Sequence, residues 1–106
     1  MYVYEDHGVI AMSTYIILSK FSPDLFKKPQ AFKAASTAVS AKIKAECPGV
    51  RWKTSYATDG RYDVVDVVES DDPLQIERAA GIIHSEAQAV METMPATLWS
   101  EFLAKL

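Results

Sequence analysis

Residues 50–69 read Val50-Arg51-Trp52-Lys53-Thr54-Ser55-Tyr56-Ala57-Thr58-Asp59-Gly60-Arg61-Tyr62-Asp63-Val64-Val65-Asp66-Val67-Val68-Glu69, two β-favouring runs around an Asp-Gly pair. The first run alternates large apolar or β-favouring residues with polar ones, which is the period of a half-buried strand. Asp59-Gly60 is the strongest short hairpin signal, because both central residues of a type I′ turn take positive φ. With those two as the turn, geometry sets Thr58 opposite Arg61, Tyr56 opposite Asp63, Thr54 opposite Val65 and Trp52 opposite Val67. Trp52, Tyr56, Asp63, Val65 and Val67 then face inward, and Lys53 meets Asp66 as an ion pair on the other face.

Working outward, Phe32, Ala35, Val39, Ile43 and Cys47 recur at intervals of three and four, the stripe of an amphipathic helix. Pro48-Gly49 closes that helix, since proline cannot continue its hydrogen-bond ladder and glycine accepts the geometry of a helix end. Lys42 and Glu46 stand four apart on its outer side as a favourable pair. Beyond the hairpin, Asp72-Pro73-Leu74-Gln75 supplies a cap, a proline at the first helical position and a glutamine spaced for a capping box. Ile76, Ala79, Ala80, Ile83 and Ala87 form the second stripe, a strand follows through about Thr93–Ala96, and Leu98, Trp99, Phe102 and Leu103 make a short amphipathic turn. Two helix patterns separated by a hairpin, with strands outside them, give an α+β chain of order βαββαβ.

Gly60-Arg61-Tyr62-Asp63, running into a valine-rich strand that ends in Glu69, resembles the motif for which the GYD domain family is named. Ser13-Thr14-Tyr15-Ile16-Ile17-Leu18-Ser19-Lys20-Phe21 resembles the family's opening strand, and Ser22-Pro23 its approach to a helix. Met91-Glu92-Thr93-Met94-Pro95-Ala96 with Glu101-Phe102 is similar to its closing strand and acidic-aromatic tail. The resemblance begins after Met12, dividing the chain into an N-terminal arm at 1–12 and a GYD-like domain at 13–106. Met12 then reads as an ancestral start, with the preceding residues an extension or an upstream choice of start codon. Such domains resemble the dimeric α+β barrel proteins, so the resemblance implies a ferredoxin-like fold: a four-stranded antiparallel sheet, two helices on one face, and a homodimer in which two sheets meet. On this register Tyr62, Val64 and Val68 populate the face turned from the helices, an apolar patch that monomers rarely leave open.

The length of 106 residues and a hydrophobic content of 49% suit one packed domain. No apolar run approaches the length of a membrane span and the start lacks the layout of a signal peptide, so a cytoplasmic location without membrane attachment is expected. Cys47 is the lone cysteine, which fits a reducing compartment. With a net charge of −3, and Lys33, Lys42 and Lys44 scattered around their helix, the chain offers no electrostatic footprint for nucleic acid.

His7 and His84 lie far apart without metal-ligand spacing, and the glycines at 8, 49, 60 and 81 form no phosphate-binding loop. No metal or cofactor is therefore expected. Cys47 reads as a packing residue, because the negative end of a helix disfavours a thiolate. Asp63 has two readings: it fixes the hairpin through backbone N–H groups, or it stands at the mouth of a pocket beside Trp52 and Tyr56. His84 falls at the edge of the second stripe, structural by default and able to transfer protons near neutral pH. Asp63, Tyr56, Trp52 and His84 are thus the ligand-binding candidates, Gly60, Tyr62 and Asp63 the motif residues, and none is singled out as catalytic. Two functions follow: a protein that binds or transforms a small, partly apolar molecule, resembling the monooxygenases of the dimeric barrel group, or a non-catalytic oligomerising or regulatory module. A nearly closed apolar interior favours the module, and a cavity of roughly several hundred Å³ reaching Asp63 favours the ligand protein.

Overall fold

In a computed structural model, the backbone is described for residues 2–5 and 8–106 and the side chains for residues 12–25 and 27–106. His7 lies outside the described residues. The arm holds β1 (Tyr2–Glu5) and β2 (Gly8–Ala11), paired antiparallel as a separate two-stranded sheet. After it come β3 (Ser13–Phe21), α1 (Pro23–Phe26), α2 (Pro29–Glu46), β4 (Arg51–Ala57), β5 (Val64–Ser70), α3 (Pro73–Ala87), β6 (Ala89–Ala96) and α4 (Trp99–Ala104). The main sheet has four antiparallel strands in the order β4-β5-β3-β6, with α2 and α3 over one face, the ferredoxin-like βαββαβ arrangement.

The two central strands carry β-branched residues, and Ile17 and Val68 are fully buried at the heart of the core. Ile43 from α2, and Ile76, Ala79, Ile83 and Ala87 from α3, pack in the same cluster. Tyr15 pairs with Val68, Ile17 with Asp66 and Ser19 with Val64, so Val64, Asp66 and Val68 point towards the helices. This reverses the expected faces of β5: Val65 and Val67, opposite Leu18 and Ile16, point away.

The reversal traces to the turn. Thr58 donates its N–H to the Asp63 carbonyl at 2.9 Å and its hydroxyl to the Tyr62 carbonyl at 2.6 Å, closing the loop two residues later than an Asp59-Gly60 turn would. Tyr56 consequently faces Val65, not Asp63, while Thr54 faces Val67 and Ser55 faces Asp66. Gln88 is the one non-glycine with positive φ among the described residues, and Gly60 has none, so the type I′ geometry is absent. Tertiary bonds outweigh turn propensity here: the Asp63 N–H reaches Ser19 O at 2.8 Å and its carboxylate takes the Phe21 N–H at 2.9 Å, carrying the chain along β3 before it can turn.

Other local expectations shift for similar reasons. Asp72 caps α3 by accepting the Leu74 N–H at 3.0 Å, but Gln75 does not complete a capping box. Its Oε1 takes the Gly49 N–H at 2.7 Å, and the Ser70 hydroxyl receives the Asp72 N–H instead. Lys42 bonds Glu86 on α3 at 2.7 Å, tying the two helices together, and does not settle on Glu46. Ile82 joins the buried side of α3, with Ala80 only half-buried. β6 starts at Ala89, earlier than expected, because Gln88 turns helix into strand in one left-handed step, φ 52°.

Left-handed backbone is costly for a residue with a Cβ, and the Gln88 side chain is exposed. Gln88→Gly is therefore expected to raise the urea unfolding free energy by about 1 kcal/mol. Gly60→Val, in open space without positive φ, should shift it by less than about 0.5 kcal/mol.

Candidate functional site

Trp52 and Ser55 are three apart, so in a regular strand their side chains would leave opposite faces. A bulge between Trp52 and Thr54 adds Lys53 to β4 and re-aims the strand, placing Trp52 opposite Val68 while Ser55 stays opposite Asp66. Both side chains then converge on one carboxylate. The Ser55 hydroxyl donates to Asp66 Oδ1 at 2.5 Å, and the Trp52 indole N–H is shared between the same oxygen at 3.2 Å and Ser55 Oγ at 3.0 Å. Asp66 is only 6% exposed. Burial pushes its carboxyl above the ordinary aspartate value, and the Ser55 and Trp52 hydrogen bonds pull it partly back. Both side-chain hydrogen bonds arrive at Oδ1, and Asp66 lines a cavity.

That cavity, about 700 Å³, lies between α2 and the sheet. The α2 stripe of Phe32, Ala35, Val39 and Ile43 forms its apolar wall, with Ile83 and Ala87 from α3. α2 rests chiefly on α3 and leaves space above the sheet, so Phe32, Ala35 and Val39 remain half-buried. Phe21 meets Phe32 edge-to-face, ring centres 4.7 Å apart. Polar groups are few: Ser36, Ser40 and Lys44 on α2, with Ser19, Trp52, Ser55, Tyr56 and Asp66 on the sheet. Ser19 is 1% exposed, and its hydroxyl is buried without a hydrogen-bond partner among the described residues.

Of the four candidates, Trp52 is in the cavity wall and Tyr56 is at its rim, 59% exposed, paired with the outward-facing Val65. Asp63 lies elsewhere, beside Lys20, Phe21, Pro23 and Lys27, with its carboxylate on the Phe21 N–H. His84 is exposed near the end of α3, where Nδ1 donates to the Ala89 carbonyl at 2.6 Å. Two of the motif residues, Tyr62 and Asp63, work as staples. Tyr62 donates its hydroxyl to Glu92 on β6, a bond that raises its pKa, while Asp63 holds β3. Lys53 does not meet Asp66; its ammonium lies 3.7 Å from Glu69, a carboxylate 1% exposed. Cys47 lines the cavity, its thiol pushed up by burial, with Arg78 opposing that shift and Glu46 reinforcing it.

Asp66, Ser55 and Ser19 are the site residues that pattern reading missed. Asp66 did carry a signal, a charge at the centre of the run Val64-Val65-Asp66-Val67-Val68, where one strand face is buried.

Comparison with known proteins places this architecture. The GYD domain model matches residues 15–106. The chain belongs to the GYD domain family. A relative, the glutamine synthetase and cystathionine beta-lyase binding protein of Thermus thermophilus, is 30% identical over 99 residues, covering 90% of this chain and 99% of its own. Two solved structures also resemble the GYD chain. One, from Caulobacter crescentus, is provisionally assigned as an antibiotic biosynthesis monooxygenase, with TM-score 0.49, 16% identity and coverage of 81% and 90% of the two chains. The other, a dimeric ferredoxin-like protein of unknown function from Thermobifida fusca, has TM-score 0.48, 20% identity and coverage of 80% and 91%.

The Asp66 carboxyl holds its proton more tightly in the folded protein than in the unfolded chain. Below the ordinary value of 3.8 both states are protonated and the difference vanishes; as pH rises through the higher folded value, the cost of ionising a buried group appears and persists. Asp66→Asn keeps an acceptor for Ser55 and Trp52, so it should gain stability over the parent at pH 7 and lose that gain near pH 3.5, read from urea midpoints. Asp63→Ala should lose about 1 kcal/mol at neutral pH, through its missing bond to Phe21, read from urea midpoints.

Proposed function

We propose that this GYD-domain protein binds a small, partly apolar molecule in the cavity between α2 and the sheet. The observation that carries this reading is the Asp66 device: a buried carboxylate steadied on one oxygen by Trp52 and Ser55, in the wall of a largely apolar cavity. Mostly apolar walls with a few convergent polar groups are the usual anatomy of a ligand site, and about 700 Å³ is an adequate size. Whether the molecule is held or transformed, the carboxylate is the group able to accept its proton or hydrogen-bond donor.

The same reading includes a homodimer joined through the sheet. Ile16, Leu18, Val65 and Val67 lie on the face turned from α2 and α3, in place of the Val64 and Val68 expected there. That apolar strip supports a second sheet as its cover. A second reading, a non-catalytic module that docks on other proteins, is favoured by the Thermus relative's description as an enzyme-binding protein. The apolar residues of α4 also support it: Trp99 and Phe102 are exposed with stacked rings 5.5 Å apart.

Val39→Trp, which fills the cavity from α2, separates the two readings. Native mass spectrometry of gently purified protein should show an added small mass that this variant lacks while remaining folded; an identical adduct in both proteins counts against the cavity. Unchanged capture of a protein partner by the variant would favour docking. Light scattering should give twice the 11.7 kDa chain mass, and Leu18→Glu should return it to one chain.

A further inference from the structure

We infer that the cavity selects an organic amine, its ammonium group seated between Asp66 Oδ2 and Ser19 Oγ and its apolar remainder lying against the α2 wall. This rests on the cavity reading above and adds the chemistry of the ligand.

Charge and hydrogen-bonding capacity are both left unmatched on this face of the sheet. Asp66 is 6% exposed, yet neither ion pair among the described residues, Lys42 with Glu86 or Lys53 with Glu69, includes it. Both of its hydrogen bonds arrive at Oδ1, so Oδ2 is left for whatever enters. Buried carboxylates are ordinarily paired, and a cationic guest supplies the missing partner. Ser19 presents the second unmet group. Ser19 lines the same cavity, and its Oγ is buried and unpartnered among the described residues.

The two groups belong to one feature of the sheet. Ser19 pairs with Val64 and Ile17 with Asp66, which makes Ser19 and Asp66 diagonal neighbours on the face towards the helices. Such neighbours stand about 7–8 Å apart at the backbone, close enough for one small group to meet both side chains. An ammonium carries three donors and no acceptor, which suits two oxygen acceptors. An alcohol brings one donor and no charge, and a carboxylate brings only acceptors and repels Asp66. The cavity's own cation, Lys44, is on α2, exposed, and in no ion pair with Asp66.

Three probes of matched size decide the question by calorimetric titration at one pH: 2-phenylethylamine, 2-phenylethanol and phenylacetate. The amine should bind about tenfold more tightly than the alcohol, the span expected of a hydrogen bond to a charged partner, and phenylacetate should bind most weakly. In Asp66→Asn the amine's advantage over the alcohol should disappear, with the alcohol's own affinity nearly unchanged. Equal binding of amine and alcohol to the parent protein, an amine advantage that survives Asp66→Asn, or a preference for phenylacetate would each overturn the inference. In those cases the cavity reading still stands if the alcohol's binding is lost in Val39→Trp. Failure of all three probes to bind overturns the amine and counts against the cavity as well.

Discussion

The register of β5 against β3 is the constraint on which the rest of the molecule depends. Side chains alternate along a strand, so a slip of one residue would turn Asp66 out of the cavity and bring Val65 and Val67 in. Asp63 pins that register at the strand's first step, its amide on the Ser19 carbonyl and its carboxylate on the Phe21 amide. Tyr62 adds a tie to Glu92 on β6, the strand on the far side of β3. The Tyr-Asp pair that marks the family therefore acts on the sheet's alignment, at a distance from the cavity that this alignment creates.

From that register the site follows in steps. Asp66 enters the helix side at the middle of a buried strand, where an ionised group needs partners. The bulge at Lys53 brings Trp52 round to join Ser55 on the same oxygen. Packing α2 on α3 leaves the space that Asp66 faces, and Gly49 helps hold the far end, its amide bound by Gln75 so closely that a Cβ would meet that side chain at 2.7 Å.

Sequence pattern carried the fold because the fold rests on periodicity and punctuation. The stripe from Phe32 to Ile43 lies in α2 with Cys47 at its C-cap, Pro48-Gly49 follows just beyond, and Asp72-Pro73 opens α3, as the spacing implies. The site was less legible, since it depends on two features that are not local. An Asp-Gly pair favours a two-residue turn, but bonds from Asp63 to a strand about forty positions earlier outweigh that preference. Nothing in Arg51-Trp52-Lys53-Thr54 announces a bulge, and without it Trp52 and Ser55 cannot meet. Trp52 was still placed on the helix side, because the mistaken register and the missing bulge offset each other at that residue. Asp63 and Asp66 both stood in view, and only the true register tells which of them is buried beside the cavity.

The central claim is that this register puts the Asp66 carboxylate in a buried, largely apolar cavity. A titration of its side-chain carboxyl carbon by NMR tests that directly. The account predicts a midpoint above the ordinary aspartate value of 3.8, with a signal that moves when Val39→Trp fills the space beside it. A midpoint at or below 3.8, unmoved by that substitution, would place Asp66 in solvent and contradict the account.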